Sequence, residues 1–186
     1  MKSIMLFLAA LLVALVMAGC GDSAIPTAQQ DQDSVLSGLS EAAYVQNQSN
    51  NHNFRTSLKG ENEVPAVETR AQGQAIFQLS RDGSELSYKL IVANIENVTM
   101  AHIHLAPANE NGPVVVWLYP DGFPPQLIPG RFSGVLAEGV ITDADIVGET
   151  QVQSLDNLIE QIRAGNAYVN VHTSQYPPGE IRGQIF

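Results

Sequence analysis

From residue 54 onward, apolar and polar positions alternate along the chain. In the stretch "ELSYKLIV", the leucine, tyrosine and valine positions alternate with Glu85, Ser87 and Lys89. A period of two is typical of a β-strand with one buried and one solvated face. The same reasoning predicts strands over residues 54–60, 73–80, 85–93, 99–105, 114–119, 132–141, 167–173 and 180–186.

Two of the connections between these strands can be predicted from turn and loop residues. Asp82-Gly83 is a strong hairpin turn, so the strands on either side of it are expected to pair antiparallel. The stretch "DGFPPQLIPG", residues 121–130, is expected to form a proline-rich loop, because proline cannot donate a hydrogen bond inside a sheet.

Only "SLDNLIEQIRAG" has helical spacing. Its apolar residues follow the i, i+3, i+4, i+7 rule, which predicts a helix over Leu155–Arg163 that ends at Gly165. Asp143 and Asp145 are interpreted as part of a turn or helix start rather than as paired catalytic carboxylates.

Many short strands and one helix favour a mainly β fold. We expect an antiparallel Greek-key β-sandwich or barrel, immunoglobulin-like or superoxide-dismutase-like, with one short helix. The predicted β-domain spans residues 53–186, and about 130 residues bury enough apolar surface to fold without disulfides or a structural metal.

The first 19 residues have the pattern of a signal peptide. Lys2 provides a positive start, and residues 4–16 form a continuous apolar run that is shorter than the roughly 20 residues of a membrane-spanning helix. Residues 20–52 are rich in Gln, Ser, Asp and Asn and are interpreted as a flexible tether, in which His52 is expected to be solvated.

The single cysteine, Cys20, closes the stretch "VMAGC". This stretch resembles the lipobox of bacterial lipoproteins, which implies cleavage before Cys20 and acylation of its sulfur and new amino end. Two or more acyl chains would anchor the protein stably. The resemblance therefore implies an exported protein, held in the membrane of the bacterial cell envelope through lipidated Cys20. A free thiol at Cys20 is the alternative.

The charge balance excludes one class of partner. The chain has 19 acidic and 9 basic residues, a net charge of −10, and no run of basic residues. Such a surface repels phosphate backbones, so nucleic-acid binding is not expected.

The stretch "TMAHIHLAP" carries the strongest candidate chemistry. On a strand, His102 and His104 share one face while Ile103 faces the core. In "AYVNVHT", His172 shares a face with Tyr168 and Asn170, so His172 can complete a three-histidine copper or zinc site if the two strands are close.

Nearby polar residues complete this hypothesis. Glu63 or Glu180 is expected to orient a ring or supply an oxygen ligand, and Arg182 is expected to form a salt bridge with one of these two glutamates. Ring nitrogens of His102 and His172 more than about 8 Å apart would exclude a shared metal. The alternative is that the histidines only make structural hydrogen bonds to the backbone.

Enzymatic function is not expected. The sequence has no nucleophile elbow, P-loop, zinc-protease helix or dinucleotide-binding glycine motif. Copper–zinc superoxide dismutase also combines a β-sandwich with a His-x-His strand, but its dinuclear site needs more histidines than this domain has, and a disulfide. Only a mononuclear site can be built here.

Four blocks of sequence resemble, in order, the CHRD domain family, named after chordin, an extracellular antagonist of a secreted growth factor. They are "LKGENEVPAVETRAQGQAIFQL", "VTMAHIHLAPANENGPVVVWLY", "GVLAEGVIT" and "LIEQIRAGNAYVNVHTSQYPPGEIRGQIF". Bacterial members are generally uncharacterised exported or lipid-anchored proteins, so the resemblance implies location and fold more firmly than activity.

Three functions remain open at this point. The leading expectation is a lipid-anchored, non-enzymatic binding module for an unknown protein or small ligand. The second is a copper- or zinc-binding envelope protein using His102, His104 and His172. The third is an enzyme with a mononuclear metal.

Overall fold

In a computed structural model of the chain, residues 51–148 and 151–186 are described. The predicted signal peptide, Cys20 and nearly all of the predicted tether lie outside these residues. The described part contains one α-helix, α1 (Leu155–Arg163), and two short 3₁₀ turns, Gly60–Asn62 and Asp143–Asp145. It also contains seven strands: β1 (Asn53–Lys59), β2 (Gln72–Leu79), β3 (Leu86–Leu105), β4 (Val114–Tyr119), β5 (Ile128–Ile141), β6 (Ala167–Thr173) and β7 (Ile181–Gln184).

Five of the strands close into an antiparallel barrel. Their order is β2-β1-β7-β6-β3, and β3 returns to pair with β2. Residues 86–93 of β3 pair with β2, and residues 98–105 pair with β6. The single long strand β3 therefore joins the two ends of the sheet and closes the barrel. β5 and then β4 pair with β3 as extra strands. The predicted mainly β antiparallel class is confirmed, and a closed barrel is the form it takes.

The prediction of separate strands over residues 85–93 and 99–105 is wrong, because both belong to β3. Asn94 and Asn97 adopt left-handed backbone angles, with φ of 56° and 54°. Asparagine tolerates this conformation better than most residues. The register between β3 and β5 shifts in this region, so the strand continues through bulges rather than ending.

The proline-rich loop is shorter than predicted. β5 begins at Ile128, which pairs with Val98, so Pro129 and Gly130 belong to the strand rather than to the loop. Proline is tolerated near the start of a strand or where its nitrogen faces away from the ladder. The other differences are small: β4, β6 and α1 have the predicted bounds, and β7 is shorter than its prediction.

Helix α1 begins and ends as its sequence predicts. The Ser154 side chain accepts a hydrogen bond from the Asn157 amide and caps the first turn. The apolar positions are buried, and Gly165 follows the helix with a φ of 74°. Thr142 and Asp145 form a capping box around the second 3₁₀ turn, as expected for a turn rather than a carboxylate pair. No helix among residues 51–148 and 151–186 is long and apolar enough to span a membrane.

Strand β6 is buried on both faces, and this positions the candidate site. One face of β3 and β6 packs into the apolar core through Ile103, Val169 and Val171, which are fully buried. The opposite face carries buried polar residues, among them Asn170 of β6 and its partner Arg182 on the neighbouring strand β7. Loop residues cover this face: Pro177 and Pro178 accept hydrogen bonds from β6 side chains, and the backbone oxygens of Asn62 and Glu110 accept from Arg182.

Candidate metal centre

The three histidines of the β-domain meet on the polar face of the barrel wall. His102 and His104 lie on β3, and His172 lies on the neighbouring strand β6, where it pairs with Met100. Alternation places the side chains on one face, while Ile103 between the first two points into the core with no exposed surface. The histidines are 3%, 8% and 5% exposed, respectively.

The ring nitrogens are close enough to share one ion. His102 Nδ1 and His172 Nε2 are 3.1 Å apart. One ligand nitrogen from each histidine can be chosen so that all three lie within 4.8 Å of one another. Two nitrogens bound to one tetrahedral metal at about 2.0–2.1 Å lie about 3.3–3.4 Å apart. The separation of the His102 and His172 nitrogens is therefore well below the distance of about 8 Å beyond which a shared metal would be excluded.

The hydrogen-bond partners of the rings assign their tautomers. His104 Nδ1 lies 2.9 Å from the Gly112 carbonyl oxygen, and His172 Nδ1 lies 2.9 Å from that of Pro177. Each of these nitrogens therefore carries the proton and donates it. His172 Nε2 then accepts from the Nδ1–H of His102. The buried Nε2 atoms of His102 and His104 hold free lone pairs and have no hydrogen-bond partner.

Burial keeps these rings neutral. Burial, together with the smaller repulsion from the neighbouring His172 and His104, lowers the pKa of His102 to about 3. Burial likewise lowers the pKa of His172 to about 4, although the Pro177 carbonyl opposes the change. The pKa of His104 is also lowered, mainly by burial. Neutral imidazole is the form that binds metal ions.

Two aromatic rings form walls of the cluster. Trp117 on β4 is opposite His102 in register, and its ring meets the His102 ring edge-on at 4.3 Å between centroids. Tyr168 stacks on His104 at 5.0 Å with an interplanar angle of 13°. Sequence reasoning placed Tyr168 on the face of His172 but gave neither aromatic a role. Assigning Trp117 requires the β3–β4 register, which the sequence does not contain.

Gly112 joins His104 to Tyr168. Its carbonyl accepts from His104 Nδ1, and its amide donates to the Tyr168 hydroxyl at 3.2 Å. A side chain at this position would collide with the backbone of Leu105. Glycine is therefore required for the loop to approach the strand closely enough to orient the ring. Sequence reasoning missed this residue.

The described contacts of Glu63 and Glu180 are with groups other than the histidine rings. Glu180 accepts hydrogen bonds from Thr69 at 2.6 Å and from Thr173 at 2.8 Å. Backbone carbonyls and a neighbouring imidazole occupy the ring nitrogens that have partners. In the contacts described, neither glutamate is hydrogen-bonded to a ring of the cluster, and a role for Glu63 or Glu180 in orienting a ring or supplying an oxygen ligand stays a prediction. The backbone carbonyls of Gly112 and Pro177 accept hydrogen bonds from His104 and His172 instead.

Arg182 forms the expected ion pair, and its partner is Glu63. Arg182 Nε lies 3.8 Å from Glu63 Oε2, and both side chains are almost fully buried. The guanidinium also lies over the Tyr168 ring at 4.8 Å. Burial raises the pKa of Glu63 to about 7, while Arg182 and Asn170 oppose the change. A buried charge pair thus lies next to the aromatic wall of the histidine cluster.

His52 is not part of the cluster. Its Nδ1 lies 3.3 Å from the Leu79 carbonyl oxygen, and its own carbonyl accepts from the Leu79 amide. The side chain is half-buried rather than solvated as predicted, because the chain already pairs beside β2 before β1 begins. His52 therefore provides a histidine outside the cluster for comparison.

Comparison with known proteins gives one match. The model of the CHRD domain family matches residues 54–185, which include β1 to β7 and all three clustered histidines. No curated protein and no solved structure matches the chain significantly. The matched segment covers most of the chain and agrees with the resemblance of the four sequence blocks, so this chain belongs to the CHRD domain family.

Proposed function

We propose that this CHRD protein is a non-enzymatic binding module of the cell envelope that holds one copper or zinc ion through His102, His104 and His172. The observation that carries the proposal is the convergence of three neutral imidazoles, with ligand nitrogens within 4.8 Å of one another. Imidazole nitrogen is a suitable ligand for both copper and zinc, and all three candidate ligands of the cluster are neutral imidazoles.

The unpartnered nitrogens favour metal binding over a purely structural role. An unsatisfied buried polar atom costs about 1–3 kcal/mol. His102 and His104 each leave one such Nε2 atom in the same cluster. A metal ion would give lone pairs of the cluster a partner. For it to bind His102 through Nδ1 in place of the His102–His172 hydrogen bond, the His102 proton would have to move from Nδ1 to Nε2. The remaining Nδ1–H groups are already oriented by carbonyls, as in established metal sites.

A binding role is favoured over catalysis by the burial of the site. Three protein ligands leave a fourth position on a tetrahedral ion, as in catalytic zinc sites. Exposures of 3–8% for the three histidines leave access for an ion or water, but little for a larger substrate. A mononuclear enzyme acting on a very small substrate is the second candidate, and the presence, among the described residues, of three rather than four candidate protein ligands is the observation that favours it.

Calorimetric titration of the purified full-length chain with Cu²⁺ and Zn²⁺ tests the metal site. We expect one ion per chain for at least one of these metals and loss of that binding in the His102→Ala/His104→Ala variant. His52→Ala is the matched control, since it removes a histidine outside the cluster and should bind as the unaltered chain does.

A second measurement reports on the position of the ion. Trp117 is the only tryptophan of the chain and contacts His102, so Cu²⁺ in the cluster should quench its fluorescence. Absence of heat and of quenching at micromolar protein would refute the metal site. Equal binding by the double histidine variant would refute its location, whatever the affinity.

The proposed location rests on the first part of the chain, which lies outside the described residues. The lipobox-like stretch before Cys20 supports export and acylation, which would anchor the domain to a membrane. Radiolabelled palmitate should enter the unaltered chain and not Cys20→Ser. Equal labelling of the two would contradict acylation at Cys20 without affecting the metal proposal.

A further inference from the structure

A second candidate binding site lies beside the barrel, on the extra strands β4 and β5. A groove with a cavity of about 440 Å³ lies between β4, β5 and the 3₁₀ turn Asp143–Asp145. This volume is within the range of about 300–1,000 Å³ typical of small-molecule pockets. The lining that matters here consists of three aromatic and three acidic residues: Tyr88, Trp117, Tyr119, Asp121, Glu138 and Asp145.

The three aromatic residues of the groove are only half-buried. Tyr88 is held in place by a hydrogen bond from its hydroxyl to the Leu118 carbonyl, at 3.1 Å. Gly139 lies beside it on β5, and a Cβ atom there would come within 3.1 Å of the Tyr88 ring. Because Gly139 has no side chain, the Tyr88 ring can pack against the β5 backbone at this position.

The groove is also electronegative. Asp121 and Asp145 line the groove with Tyr88, and their charges raise the pKa of Tyr88 after the larger effect of burial. Glu138 lines the same cavity and pairs with Lys89 at an exposed position. No lysine or arginine lines the cavity itself.

Aromatic faces and carboxylates attract the same kind of ligand. The face of an aromatic ring is negative, and it binds alkylammonium groups most strongly when several rings surround the cation. Carboxylates add a Coulombic attraction that persists in a partly buried groove. The net charge of −10 would also raise the local concentration of cations around the protein.

We propose that this groove is a binding site for an organic ammonium group, held by cation–π contact with Tyr88, Trp117 and Tyr119 and by the carboxylate of Asp121. The group can belong to a free quaternary ammonium compound or to the side chain of a lysine. None of the histidines lines the groove, but Trp117 also contacts His102, so the groove is tested with metal removed.

Titration of the full-length chain with choline chloride tests the proposal. The emission of Trp117 and calorimetric heat are followed in the presence of a chelator, with sodium chloride at matched ionic strength as the reference. We expect saturable binding with a dissociation constant of about 1 mM or tighter. The neutral isostere 3,3-dimethyl-1-butanol should bind at least about fivefold more weakly, because it lacks the charge.

Variants locate the site. Tyr119→Leu keeps an apolar side chain but removes the ring, and it should weaken choline binding about fivefold. Asp121→Asn should weaken it about two- to fourfold, since an exposed charge contributes modestly. Glu68→Gln is the matched control, as it removes an exposed acid that does not line the groove.

The source of the ammonium group is distinguished by comparing choline with an Nα-acetyl-lysine amide. Tighter binding of the lysine compound would indicate a lysine-bearing partner, and tighter binding of choline a free quaternary ammonium compound. Equal binding of the neutral isostere, unchanged choline affinity in Tyr119→Leu, or no saturable signal would each overturn the proposal.

Discussion

Acidification should destabilise the metal-free domain, and Glu63 should oppose this effect. The unfolded chain protonates its histidines near pH 6.5. The folded domain keeps His102 and His172 neutral until about pH 3 and about pH 4, respectively. A lowered pKa in the folded state means that the stability is fully present above pH 6.5. It is lost as the pH falls from there towards the folded values.

The size of the effect follows from proton uptake by the unfolded chain. Between pH 7.5 and pH 5.0, a histidine that titrates at 6.5 only when unfolded removes about 2 kcal/mol from the free energy of unfolding. His102 and His172 together therefore remove about 4 kcal/mol. His104, whose pKa is also lowered, acts in the same direction.

Glu63 has the opposite sign. Its pKa rises from 4.5 to about 7 in the folded domain, so the folded state binds the proton more tightly than the unfolded state. The stabilisation from that proton is present at low pH and is lost as the pH rises through 7. Between pH 7.5 and pH 5.0, protonation of Glu63 in the folded state therefore adds about 2 kcal/mol to the free energy of unfolding. This offsets about half of the loss caused by the two histidines.

Glu63→Gln isolates this compensation. Urea unfolding of the chelator-treated chain at pH 7.5 and pH 5.0 should show a loss of stability about 2 kcal/mol larger in Glu63→Gln than in the unaltered chain. Glu68→Gln, at an exposed position, should show the same loss as the unaltered chain. An identical pH dependence for Glu63→Gln and Glu68→Gln would refute the argument that burial raises the pKa of Glu63.

Three further changes test the packing around the site and the helix cap. Gly112→Ala should lower the free energy of unfolding by about 1–3 kcal/mol and weaken Cu²⁺ or Zn²⁺ binding in calorimetry, because the new methyl group collides with the Leu105 backbone. Arg182→Met should cost about 3 kcal/mol in urea unfolding at pH 8, since Glu63 loses its buried partner. Ser154→Ala should cost about 1 kcal/mol in the same assay, through loss of the cap on α1.

The alternation of the sequence predicts which side chains share a face of each strand, while the meeting of His172 with the β3 histidines also depends on the β3–β6 pairing, which the sequence left open. Residues two apart on a strand must share a face, so His102 and His104 were placed together without knowledge of the fold. Tyr168 and His172 were placed on one face of β6 by the same rule. The boundaries of α1 were equally predictable, because its apolar spacing, its serine cap and Gly165 are local signals.

Features that depend on long-range register were not predictable. The meeting of His102 with Trp117 depends on the pairing of β3 with β4, where the register shifts at bulges. The continuity of β3 depends on two asparagines in left-handed conformations, which turn signals alone would assign to a loop. Gly112 and Pro177 accept from the rings only because their loops fold back over the strands, and no periodicity encodes that arrangement.

The pattern of ring partners is the strongest argument against a purely structural role for the three histidines. A structural histidine in a covered face would satisfy both nitrogens, or an apolar residue would replace it without cost. Here the covering loops bind Nδ1 of His104 and His172, and the two free Nε2 atoms lie in the same small cluster. Fixing one nitrogen by a carbonyl leaves the other as a lone pair directed away from the loop. The loops over β3 and β6 therefore fix one nitrogen of His104 and one of His172, and ligand nitrogens of the three rings lie within 4.8 Å of one another, which supports the proposed metal site.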